Sequence, residues 1–265
     1  MRKQVVVTSV FGSDAEKLGR TFTSFASRTD AVLHAFVLGE ELPKRRENCV
    51  SYHLVAPDHT FGHPYREACY RRWEYIDELE ADYALVVDGT DVLCMQDLPP
   101  FFDLIRGGSL AACVEQHGGR YIDGQGYTSA YLNGGVTLWN IETSKELRSE
   151  ICARGRKRCR TIVGDNQMSL NDVVHTRYYK NTVILPSQFN YRAFLNRRKK
   201  GWPTVDHLDG VMIYHNGTCI EDAKELMPVA PLACLPPLEY RPPPTGYFDQ
   251  LLVRIRNRLN WHVVK

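Results

Sequence analysis

In Leu85-Val86-Val87-Asp88-Gly89-Thr90-Asp91-Val92-Leu93 an apolar run delivers two carboxylates three residues apart, with a glycine and a small hydroxyl between them. A turn at the end of a strand lets both side chains face one ion. Hard divalent cations take oxygen ligands, and those acting on phosphates are commonly held by one or two carboxylates while substrate oxygens complete the shell. The same Asp-x-x-Asp spacing also makes turns and helix caps, because aspartate bonds readily to nearby backbone. Further along the chain, Asn133-Gly134-Gly135 read by themselves as a bulge or turn, Asp165 as a helix N-cap and His215, at a strand end, as a structural histidine. Arg72 lies on an amphipathic helix whose arginines would ordinarily face water.

The elements that must position these residues alternate between strand and helix. Gln4 to Phe11 is a β-branched strand, broken by Gly12-Ser13 and followed by a helix with Leu18, Phe22 and Phe25 at helical spacing. Ala31 to Leu38 and Val50 to Val55 read as strands, Tyr65 to Leu79 as an amphipathic helix, and Tyr83 to Val87 as a fully apolar strand. Pro99 to Arg106 is a helix, Leu110 to Val114 a strand, Gly118 to Gly126 a glycine-rich loop, and Tyr131 to Trp139 a strand. Helices follow over Thr143 to Ala153 and Asn166 to Val174, then strands over Thr182 to Leu185 and Val211 to His215. The alternation predicts an α/β layered fold with a mixed central sheet flanked by helices. Asp88 directly follows the Tyr83 strand, at the carboxyl edge where ligands gather in open α/β sheets.

From Pro228 to Pro244 prolines dominate, which predicts a strap without regular structure. The catalytic core is therefore expected over 1–220, and 221–265 is expected to be a proline-rich strap with a C-terminal helix. In that helix Phe248, Leu252, Ile255 and Leu259 recur among Arg254, Arg256 and Arg258, a basic amphipathic pattern suited either to packing back on the domain or to a membrane surface.

The composition, 43% hydrophobic and 24% charged, is that of a globular chain with no apolar run long enough to span a bilayer. Val5-Val6-Val7 is too short for a signal-peptide core and reads as the first strand. Eight scattered cysteines without Cys-x-x-Cys spacing suggest reduced thiols and a cytoplasmic location, peripheral at a membrane if the tail binds one. Basic clusters at 154–160 and 197–200 are solvated faces or contacts for an anionic partner such as nucleic acid.

The stretch Asp91-Val92-Leu93-Cys94-Met95-Gln96-Asp97-Leu98 resembles the segment after the metal-binding aspartates of retaining glycosyltransferases of family 8, the glycogenin and bacterial galactosyltransferase group. That family usually carries Asp-x-Asp. Here Asp91 is in register and Asp88 is one residue out, a spacing closer to the glucosyltransferase domain of the collagen lysyl hydroxylases. Tyr131-Leu132-Asn133-Gly134-Gly135-Val136 is similar to the family's Phe-Asn-x-Gly-Val strand, Gly164-Asp165-Asn166-Gln167-Met168-Ser169-Leu170-Asn171 to its Asp-Gln-x-x-Leu-Asn helix start, and Val211 to Gly217 to its strand ending in a histidine ligand.

The resemblance implies the A-type (GT-A) fold of nucleotide-diphospho-sugar transferases and a metal-dependent glycosyltransferase using a UDP-sugar with Mn2+ or Mg2+. It assigns Asp88, Asp91 and His215 to the metal, and Thr8, Ser9, Phe11, Arg72, Gly89, Gly135 and Gly217 to the nucleotide sugar. Asn133, Asp165 and Gln167 fall beside the transferred sugar. It implies retention, whereas the residues alone leave Asp165 open as a general base for inversion. The acceptor is expected to be a glycan hydroxyl. Other readings are a hydroxylated base in DNA, a metal-dependent nucleotidyltransferase or phosphohydrolase, and a catalytically inactive binding module.

Overall fold

The computed structural model describes residues 2–114, 120–122, 126–128, 130–158, 165–191, 210–215 and 233–234. Along the chain these form β1 (Gln4–Phe11), α1 (Leu18–Ala26), β2 (Val32–Leu38), β3 (Val50–Val55), α2 (Pro64–Tyr75), β4 (Tyr83–Val87), β5 (Val92–Cys94), α3 (Phe101–Ile105) and β6 (Leu110–Val114). Then come β7 (Arg120–Ile122), β8 (Gly126–Thr128), β9 (Leu132–Asn140), α4 (Lys145–Arg158), α5 (Asp165–Val173), β10 (Thr182–Leu185), β11 (Ile213–His215) and β12 (Ala233–Cys234).

The main sheet has eight strands in the order β12-β10-β6-β9-β4-β1-β2-β3. The four strands from β3 to β4 are mutually parallel, while β9 runs antiparallel to both β4 and β6. The expected mixed α/β sheet is thus present. Alternation along β1 divides the core into two layers. Val5 and Val7 pack with Trp73, Tyr70 and Trp139 on the α2 side, and Val6 and Val10 pack with Phe22 and Phe25 on the α1 side. The periodicity of Leu18, Phe22 and Phe25 is the face that α1 buries.

Two features depart from expectation. The glycine-rich loop contains a short hairpin, β7 against β8, whose backbones pair despite the glycines. In the proline-rich stretch, Ala233 and Cys234 pair antiparallel with Ile184 and Val183 at the sheet's edge. Regular structure survives there because the two residues are not prolines and an edge strand needs bonds on one side only. The C-terminal helix and the 197–200 cluster lie outside the described residues. No helix among the described residues is long and apolar enough to cross a membrane. Cys49, Cys69, Cys94, Cys113 and Cys152 are free thiols.

Between β2 and β3, His34 Nδ1 and His53 Nε2 lie 2.9 Å apart. Burial, and then the neighbouring His53, push His34 down to about 4; burial does the same to His175. Both values lie below the ordinary 6.5, so the unfolded chain takes up protons first. Their contribution is complete above the unfolded value and is lost as pH falls toward the folded one. Acidification from pH 7 to about 5 should therefore cost about 1 kcal/mol at half-buried His34 and about 2 kcal/mol at His175. Melting curves at the two pH values should show a smaller drop for His34→Gln than for the wild type. An equal drop would remove this assignment.

Candidate metal centre

Apolar β4 ends the central run of the sheet, and its next residue, Asp88, is held in place by its backbone N–H, which donates to the Gly135 carbonyl at 2.7 Å. Gly89 follows because nothing larger fits: a Cβ there would sit 2.5 Å from Val10 Cγ1 and 2.8 Å from Thr8 Oγ1. This close approach turns the chain against β1, so Asp91 comes back toward Asp88 just before β5. β5 pairs antiparallel with β11, with His215 opposite Val92. Residues far apart in sequence thus meet because a small second sheet brings the end of β11 beside the end of β4.

His215 Nε2 lies 3.2 Å from Asp88 Oδ2 and 3.7 Å from Asp91 Oδ2. One ligand atom from each of the three residues lies within 4.8 Å of the others. Two hard carboxylate oxygens and one imidazole nitrogen suit Mn2+ or Mg2+ completed by phosphate and water oxygens. Gly135 keeps the space beside them clear, since a Cβ at that position would lie 2.2 Å from His215 Cε1 and 2.5 Å from Asp88 Oδ2. The residues present fit a divalent ion on donor chemistry and on this cradle.

Arg72 departs from the expectation for an arginine on an amphipathic helix. α2 buries Glu67 and Arg72 along with its aromatics. The Arg72 guanidinium bonds to Asp88 Oδ1 through Nη1 and to the Gly134 carbonyl through Nη2 at 2.6 Å. Its side chain is 2% exposed and that of Asp88 is 35% exposed. Burial by itself would raise the Asp88 carboxyl, but the Arg72 charge, with His215, holds it well below the usual carboxylate range. Asp88 therefore stays ionised, with Oδ1 on the arginine and Oδ2 toward His215.

Asn133, Gly134 and Gly135 lie in an irregularity of β9. Between Ala112 paired with Thr137 and Val114 paired with Leu132, two steps along β6 correspond to five along β9. The bulge that the glycine pattern suggested is there, and it delivers these residues to the site. Side chains of α5 satisfy its backbone: the Gly134 N–H donates to Gln167 Oε1 at 3.2 Å, and Asn171 bonds both the N–H and the carbonyl of Leu132 at 2.7 and 2.8 Å. Asp165 opens α5, and its side chain lies outside the described residues.

Of the β1 candidates, Thr8 is fully buried on the α1 side and donates to the Val87 carbonyl at 2.9 Å. The Ser9 hydroxyl is buried without a protein partner among the described residues, and half-buried Phe11 stands two residues beyond it on the α2 side. Gly217 lies outside the described residues. In the basic cluster, Arg154 pairs with Asp172 at 3.1 Å, and Arg156 reaches both Glu74 oxygens at 2.8 and 2.9 Å. These two arginines are engaged in ion pairs with α5 and α2. Asn171 enters the sequence reading only as the last residue of the Asp-Gln-x-x-Leu-Asn resemblance, and Asn190 only within Pro186-Ser187-Gln188-Phe189-Asn190-Tyr191, which resembles the loop walling the family's acceptor side; the hydrogen bonds each makes next to the site were not foreseen.

No protein-family model and no curated protein matches the sequence. Among solved structures, the chain is similar to the galactosyltransferase LgtC in complex with donor and acceptor sugar analogs, with a TM-score of 0.56 and 18% identity over 79% of this chain and 86% of that one. An active-site mutant of LgtC gives 0.56 and 17% identity over 96% and 95% of the two chains. The apo form of the bifunctional glycosyltransferase WbbM gives 0.55 and 14% identity over 81% of this chain and 45% of its own length. The strand order, the bulged β9 and these likenesses together show that the chain has the A-type glycosyltransferase fold.

Proposed function

We propose that the chain is a metal-dependent glycosyltransferase that moves a sugar from a UDP-sugar to a glycan hydroxyl with retention. The observation that carries the reading is the convergence of Asp88, Asp91 and His215 at the carboxyl edge of this fold. Breaking the bond to a diphosphate leaves negative charge on the leaving oxygens, which must be neutralised as it develops. A divalent ion held by these three side chains supplies that Lewis-acid function.

The protein's own groups do the rest. Ionised Asp88 is kept in place by Arg72, and Gly135 leaves room for the diphosphate beside it. Ser9 and Phe11, at the end of β1, are suited to the base and ribose, with Thr8 bracing the strand from behind. Gln167, Asn133 and Asp165 are assigned to the transferred sugar by the resemblance, Asn133 through the backbone it shapes because its amide oxygen is bonded to Gly135 and Asn190, and Gly217 is assigned to the diphosphate. Likeness to sugar transferases favours this reading over nucleotidyl transfer or phosphate hydrolysis.

The test is calorimetric titration with uridine and guanosine diphosphates, together with hydrolysis of a panel of nucleotide sugars, each with and without manganese. Metal-dependent preference for the uridine series is expected. Tighter metal-dependent binding of guanosine diphosphate would remove the UDP assignment, and hydrolysis indifferent to metal would remove the metal.

A further inference from the structure

Behind the metal centre, three buried side chains form a hydrogen-bonded row. Asn133 Oδ1 faces the Gly135 N–H at 2.8 Å, Asn190 Nδ2 lies 2.8 Å from the same oxygen, and Asn190 Oδ1 lies 2.7 Å from His215 Nδ1. The backbone amide of Gly135 can only donate, and this settles every orientation along the row. An Asn133 flipped end for end would set two donors against each other, so its oxygen must face Gly135. The Asn190 amide must then offer its NH2 group to that oxygen, because a carbonyl there would set two acceptors 2.8 Å apart. What remains for His215 is the Asn190 carbonyl oxygen, an acceptor, so Nδ1 carries a proton.

The opposite nitrogen, Nε2, is the one that faces Asp88 and Asp91. The backbone of Asn190 is fixed as well. The Tyr191 N–H donates to the Ile213 carbonyl at 2.9 Å and the His215 N–H to the Tyr191 carbonyl at 2.8 Å, so the segment carrying Asn190 is bonded to β11 around His215.

We infer that Asn190 is a positioning residue that holds His215 as its Nδ1–H tautomer, directing the Nε2 lone pair at an ion between Asp88 and Asp91. The inference rests on the metal reading above. In water a neutral histidine prefers its proton on Nε2, the form that cannot ligate through that atom. A hydrogen bond to the far nitrogen both reverses this preference and fixes the ring plane.

The experiment measures the tautomer and the metal separately, on the full chain. Nitrogen-15 spectra of the His215 ring in metal-free protein, above the imidazole titration range, should show a protonated Nδ1 in the wild type and loss of that state in Asn190→Leu. Manganese affinity, followed by electron paramagnetic resonance of the free ion, should fall about 10- to 100-fold in Asn190→Leu. Asn190→Asp, which can still accept from Nδ1 but turns a second acceptor toward Asn133 Oδ1, should retain the Nδ1 proton and lose less affinity than Asn190→Leu.

A wild-type ring protonated on Nε2, or an Asn190→Leu variant with undiminished manganese affinity, overturns the inference. Should Asn190→Leu fail to fold, the wild-type spectrum decides, since a ring protonated on Nε2 overturns the inference by itself. A wild-type chain that binds no manganese ends the metal reading itself and takes the inference with it. A wild-type chain that binds manganese through a ring protonated on Nε2 ends the inference alone.

Discussion

Asp91→Asn is expected to lower metal-stimulated donor turnover by about 1000-fold, because the lost ligand removes several kcal/mol of charge stabilisation at the leaving diphosphate. An amide is a far poorer ligand for a hard cation than a carboxylate, while the fold should hardly notice the change. The Asp91 side chain is 32% exposed, and substitutions at such sites usually stay within about 1 kcal/mol.

Asp88→Asn should lose turnover comparably and stability as well, since buried Arg72 would keep its charge and lose its anion. Breaking a fully buried pair costs about 3–5 kcal/mol, and partial exposure of Asp88 reduces the expectation to about 2 kcal/mol. Metal-dependent rates and melting temperatures of the two variants separate a shared ligand role from the added structural role of Asp88. Near-normal, manganese-stimulated turnover in a well-folded Asp91→Asn protein would remove the metal assignment.

The second large effect concerns a single methyl group. Gly135→Ala places a Cβ 2.2 Å from His215 Cε1 and 2.5 Å from Asp88 Oδ2, distances at which something must move. The Gly135 carbonyl is bonded to Asp88, and the His215 ring is tied to Asn190, so neither neighbour yields cheaply. Manganese binding should be lost, with a destabilisation of about 1–3 kcal/mol from overpacking. Gly134→Ala is the matched control, since its Cβ would meet nothing closer than 3.7 Å. Titrating both variants with manganese and melting both decides the matter. Equal affinity in Gly135→Ala and wild type would mean that the three ligands do not sit as described.

Much of the fold was legible because several strands of the main sheet are buried on both faces and so appear as nearly continuous apolar runs. Tyr83–Val87, Leu110–Val114 and Thr182–Leu185 have the bounds that their composition indicated. The residues of the candidate metal trio were legible in type and spacing. Its assembly was not, because the pairing of β5 with β11 is carried by three-residue strands too short to show a period. The burial of Arg72 was hidden for a different reason. Period and propensity describe a helix in isolation, while the partners that make burying a guanidinium tolerable, Asp88 and Gly134, stand on other elements. The strand at Ala233–Cys234 escaped notice because the surrounding prolines dominate any local reading.

The distance along the chain between the halves of the metal trio also sets when the site can first exist. Strands β1 to β4, the parallel half of the main sheet, are complete by Val87, and the two aspartates follow at once. His215 is made 124 positions after Asp91. At ribosomal rates of about 5–20 residues per second that interval lasts about 6–25 s. Throughout it a nascent chain presents two carboxylates without their imidazole. On the proposed metal reading a divalent ion would gain little by binding then, so metallation would follow folding rather than guide it. The bulged β9 and the row through Asn190 must therefore be reached by packing alone.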